Sequence, residues 1–126
     1  MTVELHLGDC LDVMRGMADK SVDAVITDPP YNSKLKYASY MDNLPDEAYW
    51  EWLQEIIVEC ERVSRNIVIV KHSALKIGGW GKNIGRGRMV VWYKPFSHGF
   101  RVNGFATHFE PLWVMKGKTA KWSKDV

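Results

Sequence analysis

The chain has 126 residues, a net charge of +2 and 46% hydrophobic residues, which is enough to bury one core and indicates a single globular domain or part of one. Its two isolated cysteines, Cys10 and Cys60, exclude a disulfide framework, and no Cys/His cluster has the spacing of metal ligands. No apolar run approaches the roughly 20 residues of a membrane helix, and the N-terminus lacks the pattern of a signal peptide. We therefore expect a reduced, cytoplasmic protein with no membrane segment and no bound metal.

The first third of the chain predicts two strands around a short helix. Val3–Leu7 reads as a short strand that stops at Gly8 and Asp9. "CLDVMRGM" predicts a short helix with Leu11, Met14 and Met17 on one face. "DAVIT", Asp23–Thr27, is a compact apolar run between turn signals, which is typical of a strand buried on both faces.

The clearest helix begins near Pro45, because proline suits a first turn and Asp46 and Glu47 favour its positive end. The helical spacing predicts a buried stripe of Tyr49, Leu53, Ile56, Ile57, Cys60 and Val63. "NIVIV", Asn66–Val70, predicts another buried strand. Strand, helix and strand in this order predict a parallel α/β unit.

The remainder predicts a different local topology. "KHSALKIGGWGKNIGRG" reads as a short turn or helix followed by a flexible, basic, glycine-rich loop. "RMVVWYK" and "FEPLWVMK" read as two strands without a clear helix between them, so we expect an antiparallel pair at one edge of the sheet.

Two acidic positions follow predicted strands directly. Asp9 follows the first strand, and Asp28-Pro29-Pro30-Tyr31 follows the second. Ligands of open parallel sheets bind beyond the carboxyl ends of the strands, so both positions are expected to face one crevice. Taken alone, Asp9 is equally well explained as a helix cap, and the proline pair as a rigid turn.

The stretch "LHLGDCLDVMRGMADKSVDAVITDPPYN" resembles the opening of the DNA amino-methyltransferases that place the catalytic motif before the cofactor motif. "NIVIV", "VVWYKP" and "FEPLWVMKGK" are similar to the later strands of that family, so the resemblance covers nearly the whole chain. It implies a Rossmann-like methyltransferase sheet of class α/β, mostly parallel, with an antiparallel strand pair at the C-terminal edge, and incomplete.

The resemblance also implies roles for individual residues. An exocyclic amine is a poor nucleophile because its lone pair is delocalised, and the Asp28 carboxylate and the Pro29 carbonyl would accept its two hydrogens. Pro30 completes the rigid turn, and Tyr31 would stack on a base flipped out of the helix. The methyl donor would be S-adenosylmethionine, with its adenine bonded by Asp9 and flanked by Cys10.

The same family carries an F-x-G-x-G cofactor turn and a target-recognition segment, and neither is found in this sequence. We therefore expect residues 1–126 to form a partial catalytic domain, with weak or absent binding of S-adenosylmethionine by this chain alone. The family fold would also leave the edge of the Asp23–Thr27 strand open. Either Val3–Leu7 pairs there, or another polypeptide does, as a homodimer or a complementing C-terminal segment.

The resemblance implies DNA as the partner. The dominance of Lys and Arg from Lys71 to Lys124 is compatible with phosphate contacts, although a solvated surface explains that bias equally well. The candidate phosphate contacts are Lys34, Lys36, Lys82, Arg86 and Arg88, and we expect the loop from Ser33 to Asn43 to be mobile without substrate. The resulting hypothesis is a site-specific DNA adenine methyltransferase. The alternatives are a non-catalytic remnant that binds nucleic acid or a partner, and a methyltransferase for cytosine, RNA or a protein amide.

Overall fold

The computed structural model describes residues 2–38, 40–95, 101–102, 105–106 and 108–116. In chain order the elements are α1 (Cys10–Arg15), β1 (Val22–Thr27), α2 (Asp46–Val63), β2 (Ser64–Lys71), a 3₁₀ turn (Ala74–Lys76), α3 (Ile77–Asn83), β3 (Arg88–Tyr93), β4 (Arg101–Val102), β5 (Phe105–Ala106) and β6 (Phe109–Lys116).

Four strands form an open sheet in the order β1-β2-β6-β3. β1 and β2 are parallel, and β6 runs antiparallel to both β2 and β3. Three of the four strands therefore point the same way, and the predicted antiparallel pair, β3 with β6, lies at the C-terminal edge. The predicted α/β fold class is confirmed. The short strands β4 and β5 form a separate antiparallel pair.

Helix α2 covers one face of this sheet. It begins after Pro45, with Asp46 and Glu47 in its first turn and Arg62 in its last, as complements its dipole. The predicted stripe is confirmed, with Trp50 as an additional buried member. The stripe packs on the residues that β2 and β6 direct to the same side, Val68, Val70 and Met115, and together they form the core.

The predicted strand Val3–Leu7 is wrong. The described chain has no strand there, and Val3, Leu5 and Leu7 are 75%, 90% and 105% exposed. Their alternating pattern suits a strand, but a strand exists only where a neighbour completes its hydrogen-bond ladder. In the described chain no element pairs with this segment.

The expectation that the β1 strand is buried on both faces is also wrong, since Ile26 is 76% exposed. β1 is an edge strand that pairs only with β2 in the described sheet. The expected open edge is thus confirmed for this part of the chain, and Val3–Leu7 does not move over to close it.

The predicted glycine-rich loop is mostly helix. Gly78, Gly79 and Gly81 lie within α3, and only Gly85 and Gly87, both with positive φ, lie in the turn that follows. Gly79 is needed because a Cβ there would lie 2.2 Å from the ring of Trp50 on α2. Gly79 therefore permits close packing of α3 on α2, which a count of loop-forming residues does not reveal.

This packing gives a stability prediction. Gly79→Ala should lower the free energy of unfolding by roughly 1–3 kcal/mol, because the Trp50 ring already stacks on His72 and has little room to move. Gly78→Ala and Gly81→Ala are matched controls with nothing within 4 Å, and should be neutral or stabilising by up to about 1 kcal/mol. Urea unfolding measures all three. Equal stability of the Gly79 and Gly78 variants would refute the close contact.

Candidate active site

The four-residue turn Asp28–Tyr31 leaves β1 directly at its carboxyl end. β2 ends beside it at Lys71, because the parallel register pairs Thr27 with Val70. The side chains meet there: Lys71 Nζ lies 2.9 Å from Asp28 Oδ2 and 2.9 Å from the Tyr31 hydroxyl. Tyr31 in turn donates its hydroxyl proton to Asp28 Oδ1. Both oxygens of the Asp28 carboxylate are therefore engaged.

Lys71 also connects this turn to the antiparallel strand. Its Nζ lies 3.1 Å from Glu110 Oε2, and Lys94 Nζ lies 2.6 Å from Glu110 Oε1. Burial alone would raise the pKa of Glu110, but hydrogen bonds from Lys94 and Lys71 outweigh it and lower that pKa. Two carboxylates and two ammonium groups thus alternate in one network, and their formal charges cancel.

Protonation of the donors follows from the same contacts. Burial alone would lower the pKa of Lys71, but hydrogen bonds with Tyr31, Asp28 and Glu110 raise it above its usual range. Burial and the bond to Asp28 raise the pKa of Tyr31 to about 12. At neutral pH Lys71 is an ammonium and Tyr31 a neutral phenol.

A second pair of residues supports the turn from the core side. The Tyr49 hydroxyl donates to the Pro30 carbonyl at 2.9 Å and lies 2.7 Å from His72 Nε2. Both side chains are buried, and burial lowers the pKa of His72 to about 4. His72 is therefore neutral at pH 7.

The loop after the turn is fixed at its base by Asp42. This carboxylate is 2% exposed and accepts the backbone N–H groups of Asn32, Ser33 and Leu35 at 2.8, 2.9 and 3.0 Å. These bonds hold a sharp reversal in which Asn32 and Lys34 have positive φ. The expected mobility of the loop from Ser33 to Asn43 stays a prediction, although Asp42 bonds the backbone of Ser33 and Leu35 within it.

An open pocket of about 390 Å³ adjoins Asp28 on the sheet face that α2 does not cover. Its apolar lining is Ile26, Ile69, Leu112 and Trp92, with Thr27, Asp28 and Lys71 at the polar end. The pocket provides space for a planar or apolar group beside the Asp28 carboxylate.

The predicted cofactor residues lie at the start of α1. Asp9 is its N-cap, with Oδ1 accepting the Leu11 N–H at 2.8 Å, as the simpler explanation predicted. Cys10 is an exposed residue whose thiol is partly shielded from water. This desolvation, together with the nearby Asp9 charge, raises the pKa of the thiol. α1 packs on α2.

The predicted basic residues are not brought together. Lys34 and Lys36 lie in the loop that follows the Asp28–Tyr31 turn, and both are exposed. Arg86 pairs with Glu61 at 2.9 Å. Lys82 lies near the end of α3, and Arg88 begins β3, whose register places it at the opposite edge of the sheet from Asp28.

Sequence reasoning missed Lys71, His72, Glu110 and Asp42. Lys71 is the last residue of β2, and His72 follows it. The expectation that ligands bind at the carboxyl ends of strands, which selected Asp28, could therefore have found both. Glu110 lies near the start of an antiparallel strand, whose amino end reaches the same edge. Asp42 gives no local signal, because its partners are seven to ten residues away.

Two absences apply to the residues that the structure describes. No group of three or more His, Cys, Asp or Glu side chains in these ranges could hold a metal ion. Within the same ranges, no helix is both long enough and apolar enough to cross a membrane.

A family model described as DNA methylase, for the N6 and N4 enzymes, matches residues 22–126. The chain belongs to this DNA methylase family. The match includes the Asp28–Tyr31 turn and strands β1 to β6, and it confirms the family that the sequence resemblance predicted.

Curated relatives match over shorter stretches. The type II methyltransferase M.BglII of Bacillus subtilis is 41% identical over 61 residues, which are 48% of this chain and 16% of that protein. The DNA adenine methyltransferase YhdJ of Escherichia coli (strain K12) is 34% identical over 56 residues, 44% of this chain and 19% of that protein. The chain thus matches less than a quarter of the length of either relative.

Solved structures share the fold. The PvuII cytosine-N4-specific DNA methyltransferase superposes with a TM-score of 0.59 at 13% identity, over 91% of this chain and 49% of that one. M1.HpyAVI, solved as its SAM complex, superposes with a TM-score of 0.56 at 20% identity, over 96% of this chain and 56% of that one. The incomplete Rossmann-like sheet is therefore that of methyltransferases.

The neutral His72 makes stability pH-dependent. Its pKa is lowered from 6.5 in the unfolded chain to about 4 in the folded one, so protons bind preferentially to the unfolded chain between these values. The contribution is fully present above about pH 6.5 and is lost as pH falls towards 4, by about 3 kcal/mol in the free energy of unfolding.

The measurement is urea unfolding between pH 4 and 7. His72→Gln should remove this part of the slope, because glutamine does not titrate. His6→Gln, at an exposed histidine, is the matched control and should keep the slope of the unmodified chain. An unchanged slope in the His72 variant would contradict the burial of a neutral imidazole.

Proposed function

We propose that this chain is the catalytic part of a site-specific DNA methyltransferase that transfers a methyl group from S-adenosylmethionine to the exocyclic amine of adenine. The observation that carries the proposal is the half-exposed Asp28 carboxylate, held in a rigid two-proline turn at the carboxyl end of β1 beside an open pocket. The rest of the proposal assigns a role to each group around it.

Asp28 and the Pro29 carbonyl would accept the two hydrogens of the target amine, which localises the nitrogen lone pair towards the methyl donor. The cofactor supplies an electrophilic methyl group on sulfur. In the transfer of that methyl group from sulfur to the amine nitrogen, Asp28 would take up the proton that the nitrogen loses. Both acceptors are preorganised, since proline fixes φ and has no N–H to compete.

The target base has to leave the double helix to reach this turn. In the described structure the Tyr31 hydroxyl and Lys71 occupy the two oxygens of Asp28. The incoming amine would replace the Tyr31 hydroxyl at Oδ1, which frees the Tyr31 ring to stack on the base. Such stacking contributes about 1–3 kcal/mol per base.

Asp9 and Cys10 suit the adenine end of the cofactor. Asp9 uses Oδ1 to cap α1, and Oδ2 can accept a hydrogen bond from the adenine amine. The raised pKa of Cys10 keeps its thiol neutral beside such a ring. No covalent role is assigned to Cys10, because amine methylation needs no covalent intermediate.

Adenine is favoured over cytosine only by the first residue of the turn, since aspartate serves both bases and serine is commoner for cytosine in the family that the sequence resembles. The relatives include enzymes named for each base. For phosphate contact we retain Lys34 and Lys36, which lie beside the turn. They alternate along the chain with the exposed side chains of Leu35 and Tyr37. Arg86 and Arg88 lie away from it.

We further propose that the open β1 edge and the uncovered sheet face bind more polypeptide in the working enzyme. Ile26, Val90 and Trp92 on these surfaces are 76%, 47% and 50% exposed. Natural proteins rarely leave an apolar strand edge without cover. The proposed occupants are a second copy of this chain or a complementing methyltransferase segment.

The first test concerns Asp28. In the natural enzyme that contains this sequence, Asp28→Ala should lower methyl transfer to DNA by at least about a hundredfold, because one acceptor of the target amine is lost. S-adenosylmethionine affinity should stay within a few-fold. Asp23→Ala, an exposed carboxylate on the same strand, is the matched control and should remain active.

The readout is transfer of a labelled methyl group, followed by nucleoside analysis of the product. Detection of N6-methyladenine in the product supports the proposal. Detection of N4-methylcytosine would show that the target base is cytosine and not adenine. Unimpaired transfer by the Asp28 variant would end its assignment. If the natural enzyme does not methylate DNA, activity on RNA or protein would favour a different substrate. No activity on any of these would favour a non-catalytic remnant.

The second test concerns assembly. At micromolar concentration this chain alone should scatter light as a dimer, and Ile26→Lys should shift it to a monomer by charging the open edge. Leu75→Lys, at a side chain that is 71% exposed in the 3₁₀ turn, is the control.

Calorimetry should detect weak or no binding of S-adenosylmethionine by the chain alone. One charged hydrogen bond accepted by Asp9 is worth roughly 1.5–3 kcal/mol, far below the approximately 8 kcal/mol of micromolar binding. A monomer that binds the cofactor with micromolar affinity would contradict both expectations.

A further inference from the structure

A pair of buried polar side chains lies directly behind the catalytic turn. Tyr49, on α2, is 0% exposed, and His72, immediately after β2, is 1% exposed. The Tyr49 hydroxyl is 2.9 Å from the Pro30 carbonyl oxygen and 2.7 Å from His72 Nε2. A tyrosine in a helical stripe is usually only a core residue, but this hydroxyl reaches the backbone of the turn that carries Asp28.

Both contacts of the Tyr49 hydroxyl are hydrogen bonds in one arrangement of the protons only. A carbonyl only accepts, so in this arrangement the one hydroxyl proton of Tyr49 goes to Pro30. The bond between Tyr49 and His72 is then donated by Nε2–H of the neutral imidazole, and His72 Nδ1 carries a lone pair. Burial raises the pKa of Tyr49, which keeps the hydroxyl as a donor.

Both members of the pair are held rigidly by aromatic neighbours. The His72 ring stacks on Trp50 at 5.8 Å and meets the edge of Trp80 at 5.7 Å. Trp80 stacks in turn on Trp113 of β6 at 4.8 Å. The donor that reaches Pro30 is therefore fixed by α2, α3 and the sheet together.

Fixing the Pro30 carbonyl restrains the turn. It sets the plane of the peptide between Pro30 and Tyr31. Because the ring of Pro30 restrains φ, a single torsion, ψ of Pro30, separates that plane from the peptide that carries the Pro29 carbonyl. Pro29 and Asp28 are the two acceptors in the proposed mechanism. A small rotation here changes the distance from both acceptors to the target amine.

We propose that Tyr49 is a positioning residue of methyl transfer, held from behind by His72, that orients the two acceptors through the Pro30 carbonyl. This inference rests on the proposed function. It assigns no contact with substrate or cofactor to either residue.

The test compares variants of the natural enzyme that contains this sequence. Tyr49→Phe keeps the ring and removes the donor, and should lower kcat by about tenfold while KM for DNA and S-adenosylmethionine changes by less than about twofold. Tyr93→Phe, an exposed tyrosine on β3, is the matched control and should keep both constants.

His72 supplies a rescue experiment. The amide of His72→Gln can donate from a similar position and should keep kcat within about threefold, whereas His72→Leu cannot donate and should lose as much as Tyr49→Phe. The Tyr49→Phe/His72→Leu double variant should be no slower than Tyr49→Phe alone, because both remove one chain of bonds. Circular dichroism checks that each variant is folded.

The outcomes separate cleanly. Unchanged kcat in Tyr49→Phe, or equal loss in the glutamine and leucine variants, overturns the inference and leaves the proposed function intact. If Tyr49→Phe does not fold, the two His72 variants decide in the same way. An inactive natural enzyme defeats the proposed function itself, and the inference with it.

Discussion

The parallel pairing of β1 with β2 is the constraint on which the candidate site depends. Its register places Thr27 beside Val70, so the next residues, Asp28 and Lys71, meet at the carboxyl edge. β6 extends the same alignment, because it pairs Leu112 with Lys71 and brings Glu110 to the same edge. A shift of one residue in either pairing would direct Lys71 or its partner to the opposite face and separate the charges. The core contacts of Val68 and Val70 with α2 prevent that shift, so burial on one face fixes the chemistry at the strand ends.

The parts of the fold that the sequence predicts are those decided locally. The helical stripe from Tyr49 to Val63, the strands around Val25 and Val68, and the turn at Asp28 all follow from spacing, capping and the restricted backbone of proline. The antiparallel β3–β6 pair also follows, since no helix separates the two strands in the sequence. The prediction of a strand at Val3–Leu7 was wrong, because alternating apolar and polar residues specify which face of a strand is buried but not which strand it pairs with. The prediction of a glycine-rich loop around Trp80 was wrong, because close packing of α3 on Trp50 depends on two elements and is not visible in one segment.

The site divides in the same way. Asp28 and Tyr31 are visible in the sequence because two prolines isolate them at a strand end. The groups that orient them come from distant segments: Lys71 and His72 from the end of β2, Tyr49 from α2, and Asp42 from the far end of the loop. Each looks ordinary where it stands, as a terminal lysine, a core tyrosine or a loop acid. Only the folded chain shows that they converge on one turn, since their hydrogen bonds join residues that are 7 to 43 positions apart.

The charge network joins the C-terminal strand β6 to the Asp28–Tyr31 turn. A lone ammonium beside Asp28 would oppose the positive charge that develops on an amine as it accepts a methyl group. The positive charge of Lys71 is also paired with the Glu110 carboxylate, and Lys94 pairs with the other oxygen of that carboxylate. The four charges sum to zero, so Asp28 can exchange the Tyr31 hydroxyl for another donor without leaving Lys71 uncompensated. Glu110 stands in the segment "FEPLWVMK", which the sequence links to the methyltransferases as clearly as the two-proline turn does. The Lys71 charge beside the turn is therefore compensated from a separate strand, β6.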